Sequence, residues 1–206
     1  MKILLMGPPA SGKGTVGQKL SDRLKLPLIQ VGQVCRNIPE NHPRYDEVKA
    51  EMDSGGLVPQ DIVAELLEKR VKEPDCSNGY ILDGWGRTMI DLHYFNPGFD
   101  QVLVLNLSLE SAIKRITSRR VCSNCGEVYN IVYIPPKVEG ICDVCGGSLI
   151  QRDDDSKEVV ERRYKLQWED AVNVVTYFRD KGIVLDIDAE VSPDEVFSSV
   201  LSALKL

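Results

Sequence analysis

The feature that most constrains the fold is a short apolar run that leads directly into a glycine-rich loop containing a lysine. Residues 2–6 read Lys-Ile-Leu-Leu-Met, and residues 7–15 read Gly-Pro-Pro-Ala-Ser-Gly-Lys-Gly-Thr. Val16, Leu20 and Leu24 then recur at helical spacing. A strand, a glycine loop and a helix in this order form the context of a phosphate-binding loop, because backbone N–H groups and the helix N-terminus converge on an anion.

Two side chains of this loop are suited to nucleotide binding. Lys13 would reach the outer phosphates, and Thr15 is placed to ligate Mg²⁺. The loop departs from the strict GxxxxGK[ST] pattern, because Gly14 follows the lysine and the hydroxyl comes one residue later. This ending is the version seen in nucleoside monophosphate kinases, which favours phosphoryl transfer between nucleotides over a motor or a GTP switch. The alternative is an ordinary turn between a strand and a helix.

Length and composition indicate one domain, with or without inserts, that buries a sizeable core. The chain has 206 residues, of which 43% are hydrophobic, and its net charge is −6. This acidity argues against a broad nucleic-acid interface, which needs a basic face. No apolar stretch approaches the roughly 18 residues of a membrane-spanning helix, and the N-terminal apolar run is too short for a signal peptide. We therefore expect a cytoplasmic monomer that binds neither nucleic acid nor membranes.

Apolar runs alternate with amphipathic stretches along most of the chain, as in a parallel sheet covered on both faces. The predicted strands are residues 3–6, 28–29, 80–82, 102–107 and 183–187. The predicted helices lie near residues 13–25, 59–72, 108–120, 157–180 and 192–204. The sequence therefore predicts an α/β fold, in which residues 30–59 and 121–156 interrupt the alternation as two inserts. Ligands of such sheets bind at the carboxyl ends of the strands.

The second insert carries four of the six cysteines as two Cys-x2-Cys pairs. They are Cys122 and Cys125, followed after sixteen residues by Cys142 and Cys145. In a reducing compartment such pairs are typical of metal ligands, and four cysteines form a closed site that is structural rather than catalytic. We expect zinc, although iron also fits four thiolates. The alternatives are two disulfides, or cysteines that bind no metal.

Arginines are concentrated in or beside predicted loops and inserts in spite of the overall acidity. They are Arg36, Arg87, Arg115, Arg119, Arg120, Arg152, Arg162 and Arg163. The planar fork of arginine suits phosphate oxygens, and transfer of a phosphoryl group needs charge neutralisation more than covalent chemistry. Asp83 ends a predicted strand next to the glycine loop, where its carboxylate can hold Mg²⁺ through water. A surface salt bridge is the alternative for any single arginine.

The chain resembles the adenylate kinases, specifically the long-lid bacterial type with a zinc-knuckle lid, over essentially its whole length. The motifs that carry the resemblance are, in chain order, GPPASGKGT, VGQVCR, MDSGGLVP, LDGWGRT, SRR, VYNIVYIPPKVEG and RDDD. The resemblance implies a P-loop kinase with a five-stranded parallel sheet that transfers a phosphoryl group reversibly from Mg-ATP to a nucleoside monophosphate. The implied core is residues 1–29, 60–120 and 157–206. Residues 30–59 would bind the monophosphate, and residues 121–156 would form the metal-bound lid.

The same resemblance implies roles for individual residues. The catalytic set would be Lys13, Asp83, Arg87, Arg119, Arg152 and Arg163. ATP would contact Ala10, Ser11, Gly12, Lys13, Gly14, Thr15, Arg119, Val128, Tyr129 and Val191. The monophosphate would contact Val31, Arg36, Gly56, Leu57, Val58, Gly84, Trp85, Gly86, Arg87, Asp91, Arg152 and Arg163. Asp154 and Asp155 look like carboxylates of the lid hinge that pair with arginines.

Departures from the family pattern are concentrated in the acceptor pocket. They include Val31, Gln33, Trp85, Gly86 and Asp91. The family usually has a glutamine that reads adenine where this chain has Asp91, and an ionised carboxylate can accept hydrogen bonds but cannot donate them. We predict that Asp91 faces the acceptor base and that the acceptor is AMP. The alternatives are GMP or a pyrimidine monophosphate, or a nucleotide-binding regulator without turnover.

Overall fold

A computed structural model describes residues 1–54, 56–151 and 155–206, and at Arg163, Leu166 and Gln167 it describes the backbone only. Its strands are β1 (Lys2–Met6), β2 (Leu28–Gln30), β3 (Tyr80–Asp83), β4 (Gln101–Asn106), β5 (Arg119–Cys122), β6 (Val128–Asn130), β7 (Leu149–Ile150) and β8 (Val184–Asp188). Five of them form a parallel sheet in the order β2-β3-β1-β4-β8. This confirms the predicted α/β fold and its five-stranded parallel sheet.

The helices of the described chain cover the sheet and fill the first insert. They are α1 (Lys13–Leu24), α2 (Val31–Arg36), α3 (Tyr45–Asp53), α4 (Gln60–Arg70), α5 (Met89–Tyr94), α6 (Leu109–Thr117), α7 (Lys157–Tyr164), α8 (Ala171–Asp180) and α9 (Pro193–Leu204). A 3-10 turn spans Pro74–Cys76, and a π-helical turn at Lys165–Glu169 separates α7 from α8. The single helix predicted over residues 157–180 is therefore two helices.

Alternation of side chains along β1 creates an apolar core on each face of the sheet. Leu4 and Met6 pack into one cluster, with Leu82 and Phe178, while Ile3 and Leu5 belong to the cluster on the opposite face. All six side chains are buried. Burial on both faces explains why these strands are nearly continuous apolar runs rather than alternating ones.

The parallel register places the glycine loop beside the carboxyl end of β3. Leu5 pairs with Asp83 on the adjacent strand, and the chain enters the loop at Gly7, two residues farther along. Gly7 has φ +148°, and a Cβ atom there would lie 2.6 Å from the carbonyl oxygen of Leu105. Only glycine fits this position, because the loop leaves the sheet in contact with the neighbouring strand.

The second insert contains a three-stranded antiparallel sheet in the order β6-β5-β7. Its central strand begins at Arg119, which pairs with Asn130. The helix predicted over residues 108–120 therefore ends early, at Thr117, because the residues that follow enter this sheet. Among the helices of the described segments, none is long and apolar enough to cross a membrane.

Candidate active site

A cavity of about 1130 Å³ opens at the carboxyl ends of the central strands and contains most of the predicted site. The predicted residues that line it are Ala10, Lys13, Val31, Arg36, Gly56, Leu57, Val58, Asp83, Gly84, Trp85, Gly86, Arg87 and Arg119. Both ends of the predicted reaction, the glycine loop and the acceptor insert, therefore face one space. The other predicted nucleotide-binding residues of the described chain lie outside this lining, namely Ser11, Gly12, Gly14, Thr15, Asp91, Val128, Tyr129 and Val191.

Lys13 lies inside the glycine loop and is held by its carbonyl groups. Its Nζ donates to the carbonyl oxygens of Gly7 and Pro8, each at 2.8 Å, and lies 3.5 Å from Ser11 Oγ. Burial lowers the pKa of Lys13, the charge of Asp83 opposes this shift, and the charge of Arg87 adds to it. The ammonium group is thus poorly compensated without an anion, which favours the binding of phosphate oxygens.

The glycine loop carries an alanine in a conformation that favours glycine. Ala10 has φ +63°, in the left-handed region, where a side chain costs roughly 1–2 kcal/mol. Its carbonyl oxygen lies 3.4 Å from Nη1 of Arg115, whose Nη2 donates to Ala189 at 2.6 Å and lies 3.3 Å from the carbonyl oxygen of Val191. Arg115 thereby ties the loop to the segment after β8. The sequence marked Arg115 as one of a set but did not predict this contact.

Gln33 positions the arginine of the acceptor insert. Arg36 donates to Gln33 Oε1 from Nε at 3.3 Å and from Nη2 at 3.1 Å, one turn apart on α2. The fork of Arg36 is therefore oriented before any ligand is present. Gln33, which departs from the family pattern, is thus bonded to the residue that is predicted to bind the monophosphate.

Asp83 has a polar neighbour that the sequence analysis missed. Gln30 Nε2 lies 3.4 Å from Asp83 Oδ2 at the ends of the adjacent strands β2 and β3. Asp83 is partly buried, and Thr15 in the first turn of α1 is exposed. Carboxylate and hydroxyl oxygens at this rim fit the oxygen preference of Mg²⁺.

A smaller pocket of about 250 Å³ adjoins the cavity and contains Asp91. Asp91 is 3% exposed, and its Oδ2 accepts the backbone N–H of Arg87 at 2.7 Å and of Thr88 at 3.1 Å. In return, the Thr88 side chain accepts the backbone N–H of Asp91, so the two residues form a capping box at the start of α5. Asp91 therefore lines the smaller pocket with one carboxylate oxygen bonded to the backbone, and its role at the acceptor base stays a prediction.

Two further side chains of this pocket were not assigned their structural roles by the sequence. Trp85 is buried, and its Nε1 donates to the carbonyl oxygen of Phe95 at 2.9 Å. Gln60, the first residue of α4, donates from Nε2 to Thr88 Oγ1 at 3.1 Å. Gln60 follows a proline at a helix start, which reads as ordinary helix-start chemistry, so nothing in the sequence marked it.

Arg119 forms an ion pair with Asp155 where the second insert meets the core. Arg119 Nε donates to Asp155 Oδ2 at 2.9 Å, and Nη2 donates to Oδ1. The pairing predicted for Asp155 is therefore present. Asp154 and Arg152 lie outside the described residues, as does the side chain of Arg163, so their roles stay predictions.

The four cysteines of the second insert converge on one point. Their Sγ atoms all lie within 4.8 Å of one another, with Cys122 and Cys145 at 3.4 Å and Cys125 and Cys142 at 3.6 Å. Four sulfur ligands at about 2.3 Å from a tetrahedral metal are about 3.8 Å apart, so the arrangement fits a metal ion. None of the four forms a disulfide, which differs from the disulfide alternative.

Tyr129 contacts this cysteine cluster through its hydroxyl group. Its hydroxyl lies 3.5 Å from Cys142 Sγ and accepts the backbone N–H of Asp143 at 2.8 Å. Burial opposes ionisation of Cys142, but the Tyr129 hydrogen bond and backbone amides outweigh it and lower the pKa of this thiol to about 6. The buried Tyr129 side chain thus contacts the cysteine cluster through its hydroxyl, and its place near ATP stays a prediction.

Comparison of the sequence with known proteins matches this chain to one family. The family model for adenylate kinase matches residues 5–183. The adenylate kinase of Clostridium tetani is 38% identical over 212 residues, covering 99% of this chain and 98% of the relative. That of Archaeoglobus fulgidus is 36% identical over 213 residues, with 100% and 98% covered. That of Carboxydothermus hydrogenoformans is 39% identical over 213 residues, and both chains are covered completely.

Proposed function

Because this chain belongs to the adenylate kinase family, we propose that it transfers the terminal phosphoryl group of Mg-ATP reversibly to AMP, giving two ADP. The family and the names of the relatives support this reaction over another acceptor base or a silent regulator. The observation that carries the proposal is the single cavity that holds Lys13, Arg36, Arg87 and Arg119. Four cationic side chains facing one space suit two phosphorylated ligands meeting end to end.

On the ATP side, the glycine loop and Lys13 would hold the phosphates. Phosphate oxygens would replace the carbonyl oxygens of Gly7 and Pro8 as partners of the Lys13 ammonium group. Arg119 uses Nε and Nη2 for Asp155, and Nη1 makes no hydrogen bond within the described residues. That free Nη1 can donate to ATP while the ion pair stays intact. The predicted ATP contacts of Val128 and Val191 are part of the same proposal.

On the acceptor side, Arg36 and Arg87 would hold the monophosphate, with its base in the smaller pocket. Both arginines line the main cavity, and Arg87 lines both spaces. A monophosphate between them has an oxygen free to attack the terminal phosphorus of ATP. One P–O bond forms as the bond to the leaving ADP breaks, so no side chain becomes a covalent nucleophile. Positioning and charge stabilisation supply the catalysis.

Mg²⁺ would be held through water by Asp83, with Thr15 as a direct ligand, and would neutralise phosphate charge when bound. Gln30 orients the Asp83 carboxylate for this role. Arg152 and Arg163 are proposed to cover the transferring group from the side of the second insert. Closure of residues 121–156 over the cavity would exclude water and suppress ATP hydrolysis.

We also propose that the four cysteines hold one structural Zn²⁺. Four thiolates without an open position fit a structural site, and the Cys142 environment already favours a thiolate. Within its described residues the insert has only a small core of its own, made of Cys122, Tyr129 and Cys142 with Leu149 packed against it. A metal would therefore replace the missing core. A cytoplasmic monomer remains our prediction for the protein in the cell.

An acceptor screen tests the proposed reaction. Native protein is assayed with Mg-ATP and, in turn, AMP, GMP, CMP, UMP and dTMP. We expect AMP to give the highest kcat/KM, and Lys13→Met to lower kcat by about 10²-fold or more, because charge stabilisation in the transition state is lost. Lys19→Met is the matched control, since Lys19 lies on the same helix but pairs with exposed Asp194. Preference for another base, or no turnover, contradicts the proposal.

A further inference from the structure

The smaller pocket needs a side chain that can recognise a base, and Asp91 is poorly placed to be that group. Its Oδ2 accepts two backbone N–H groups, and the residue is almost completely buried. Removing those bonds would uncap α5 and leave buried donors unsatisfied. Trp85 is also committed, through its bond to Phe95. Recognition of a base is therefore expected from a polar side chain on another wall of the pocket.

That wall is the start of α4, and it provides one amide side chain. Gln60 is partly buried and lines the pocket together with Leu57, Val58 and Val63. Among the described residues that line the smaller pocket, Gln60 is the one that carries both a donor and an acceptor on a side-chain amide. These apolar neighbours give a base nonpolar surface to pack against.

The hydrogen bond to Thr88 fixes the orientation of this amide. Thr88 Oγ1 accepts from Gln60 Nε2 at 3.1 Å and lies 3.4 Å from the backbone N–H of Asp91. One N–H of Gln60 is used in this way, and the amide keeps a second N–H together with Oε1. Thr88 thus connects the capping box of α5 to the side chain on α4, which holds the amide at the pocket wall.

We propose that Gln60, rather than Asp91, is the side chain that selects adenine as the acceptor base. Its free N–H donates to adenine N1, and its Oε1 accepts from the 6-amino group. This inference rests on the proposed function, because it assumes that AMP is the acceptor. It assigns base specificity to a residue on α4 that the family resemblance does not implicate. In this chain the α5 position where the family usually has its adenine-reading glutamine holds Asp91.

The test removes the Gln60 amide from the enzyme and, separately, the 6-amino group from the substrate. Native protein and Gln60→Ala are assayed with AMP and with purine ribonucleoside 5′-monophosphate, which lacks the 6-amino group. We expect native protein to prefer AMP by about tenfold in kcat/KM, which corresponds to one hydrogen bond. In Gln60→Ala this preference falls below about twofold, mainly through KM. Gln18→Ala, on the exposed face of α1, keeps the native preference.

A second variant separates the two contacts and does not depend on truncation. Gln60→Glu keeps an acceptor for the 6-amino group but has no donor for N1. This variant should keep the preference for AMP over purine ribonucleoside 5′-monophosphate. Native protein should also prefer AMP over 1-deaza-AMP, in which a C–H group replaces N1, and Gln60→Glu should lose that second preference. Thermal unfolding of both variants confirms that they fold.

Three results overturn the inference. Gln60→Ala and Gln60→Glu can lower kcat/KM equally for all three substrates, which is the signature of a structural role. Asp91→Asn can abolish the preference for the 6-amino group while Gln60→Ala keeps it, which assigns the base to Asp91. Native protein can fail to use AMP at all, which contradicts the proposed function as well and is seen before any variant is made.

Discussion

Arg119 and Asp155 form a two-point ion pair at the base of the second insert, between the residues that precede the insert and those at its end. The Asp155 side chain is fully buried, and that of Arg119 is 23% exposed. The pair connects the start of β5 to the residues just before α7. It therefore closes the base of the insert while Arg119 still faces the cavity.

Loss of this pair should loosen the insert and weaken ATP binding. In Asp155→Asn the size is kept but the charge is lost, so Arg119 is left without its buried partner. We expect the free energy of unfolding to fall by about 1–3 kcal/mol and KM for ATP to rise. Urea denaturation and steady-state kinetics measure both. Asp186→Asn is the control, because Asp186 pairs with Arg179 at an exposed site. An Asp155→Asn variant with native stability and native KM for ATP would contradict the account.

Tyr129 should matter for the metal and not for ATP. Tyr129→Phe removes the hydroxyl that bonds Cys142 and Asp143 and keeps the ring. We expect metal affinity to fall about 10–100-fold, as for other groups that hold ligands, and KM for ATP to change less than twofold. Competition with a chelator measures the metal affinity. A raised KM for ATP with normal metal binding would instead place the hydroxyl at the nucleotide.

One metal ion per chain should be bound by the four cysteines. Elemental analysis of protein purified without chelator should find one zinc ion per chain, and Cys142→Ser should lose it and lower the unfolding temperature. The five-stranded sheet should still fold, because the cysteines belong to an insert. Cys76→Ala is the control, since Cys76 lies next to Arg70 and outside the cluster. Four free thiols without metal in native protein would disprove the site.

Lys13 should set the alkaline limit of activity. Its pKa is lowered, mainly by burial, and the ammonium form is the one that binds phosphate. The kcat/KM, which reports on the free enzyme, should therefore fall as pH rises through this pKa, and the fall should occur at lower pH than for an ordinary lysine. Bound phosphates raise this pKa again, so the limit in kcat should lie at higher pH.

The matched variant for this pH dependence is Lys13→Arg, whose guanidinium stays protonated. Its alkaline limit should move to higher pH, whatever its absolute rate. The measurement is the pH profile of kcat/KM for native protein and variant. Identical alkaline limits in the two would show that another group titrates.

Much of this structure could be predicted from local patterns, because those patterns act through adjacent residues. The glycine loop after β1 and the Cys-x2-Cys pairs are contiguous, so their geometry follows from their own sequence. The predicted end of the helix over residues 108–120 was wrong, because Arg119 pairs with Asn130, and this pairing depends on a hairpin farther along the chain.

The acceptor pocket was harder to predict, because its contacts cross between elements. The sequence assigned Asp91 to the base from its position and did not predict that its carboxylate forms a capping box with Thr88. The contact between Gln60 and Thr88 spans 28 residues and joins two helices. Tyr129 was expected at ATP, and only the folded hairpin shows its hydroxyl beside Cys142. No periodicity or spacing encodes these pairs.

The central claim, that one cavity binds adenine nucleotides at both ends, is tested most directly by giving the protein ADP alone with Mg²⁺. Phosphorus NMR then follows the mixture over time. The account predicts that ADP is converted to ATP and AMP in equal amounts, and that Lys13→Met does not carry out this conversion at a comparable rate. Unchanged ADP, or formation of AMP with free phosphate instead of ATP, would contradict it.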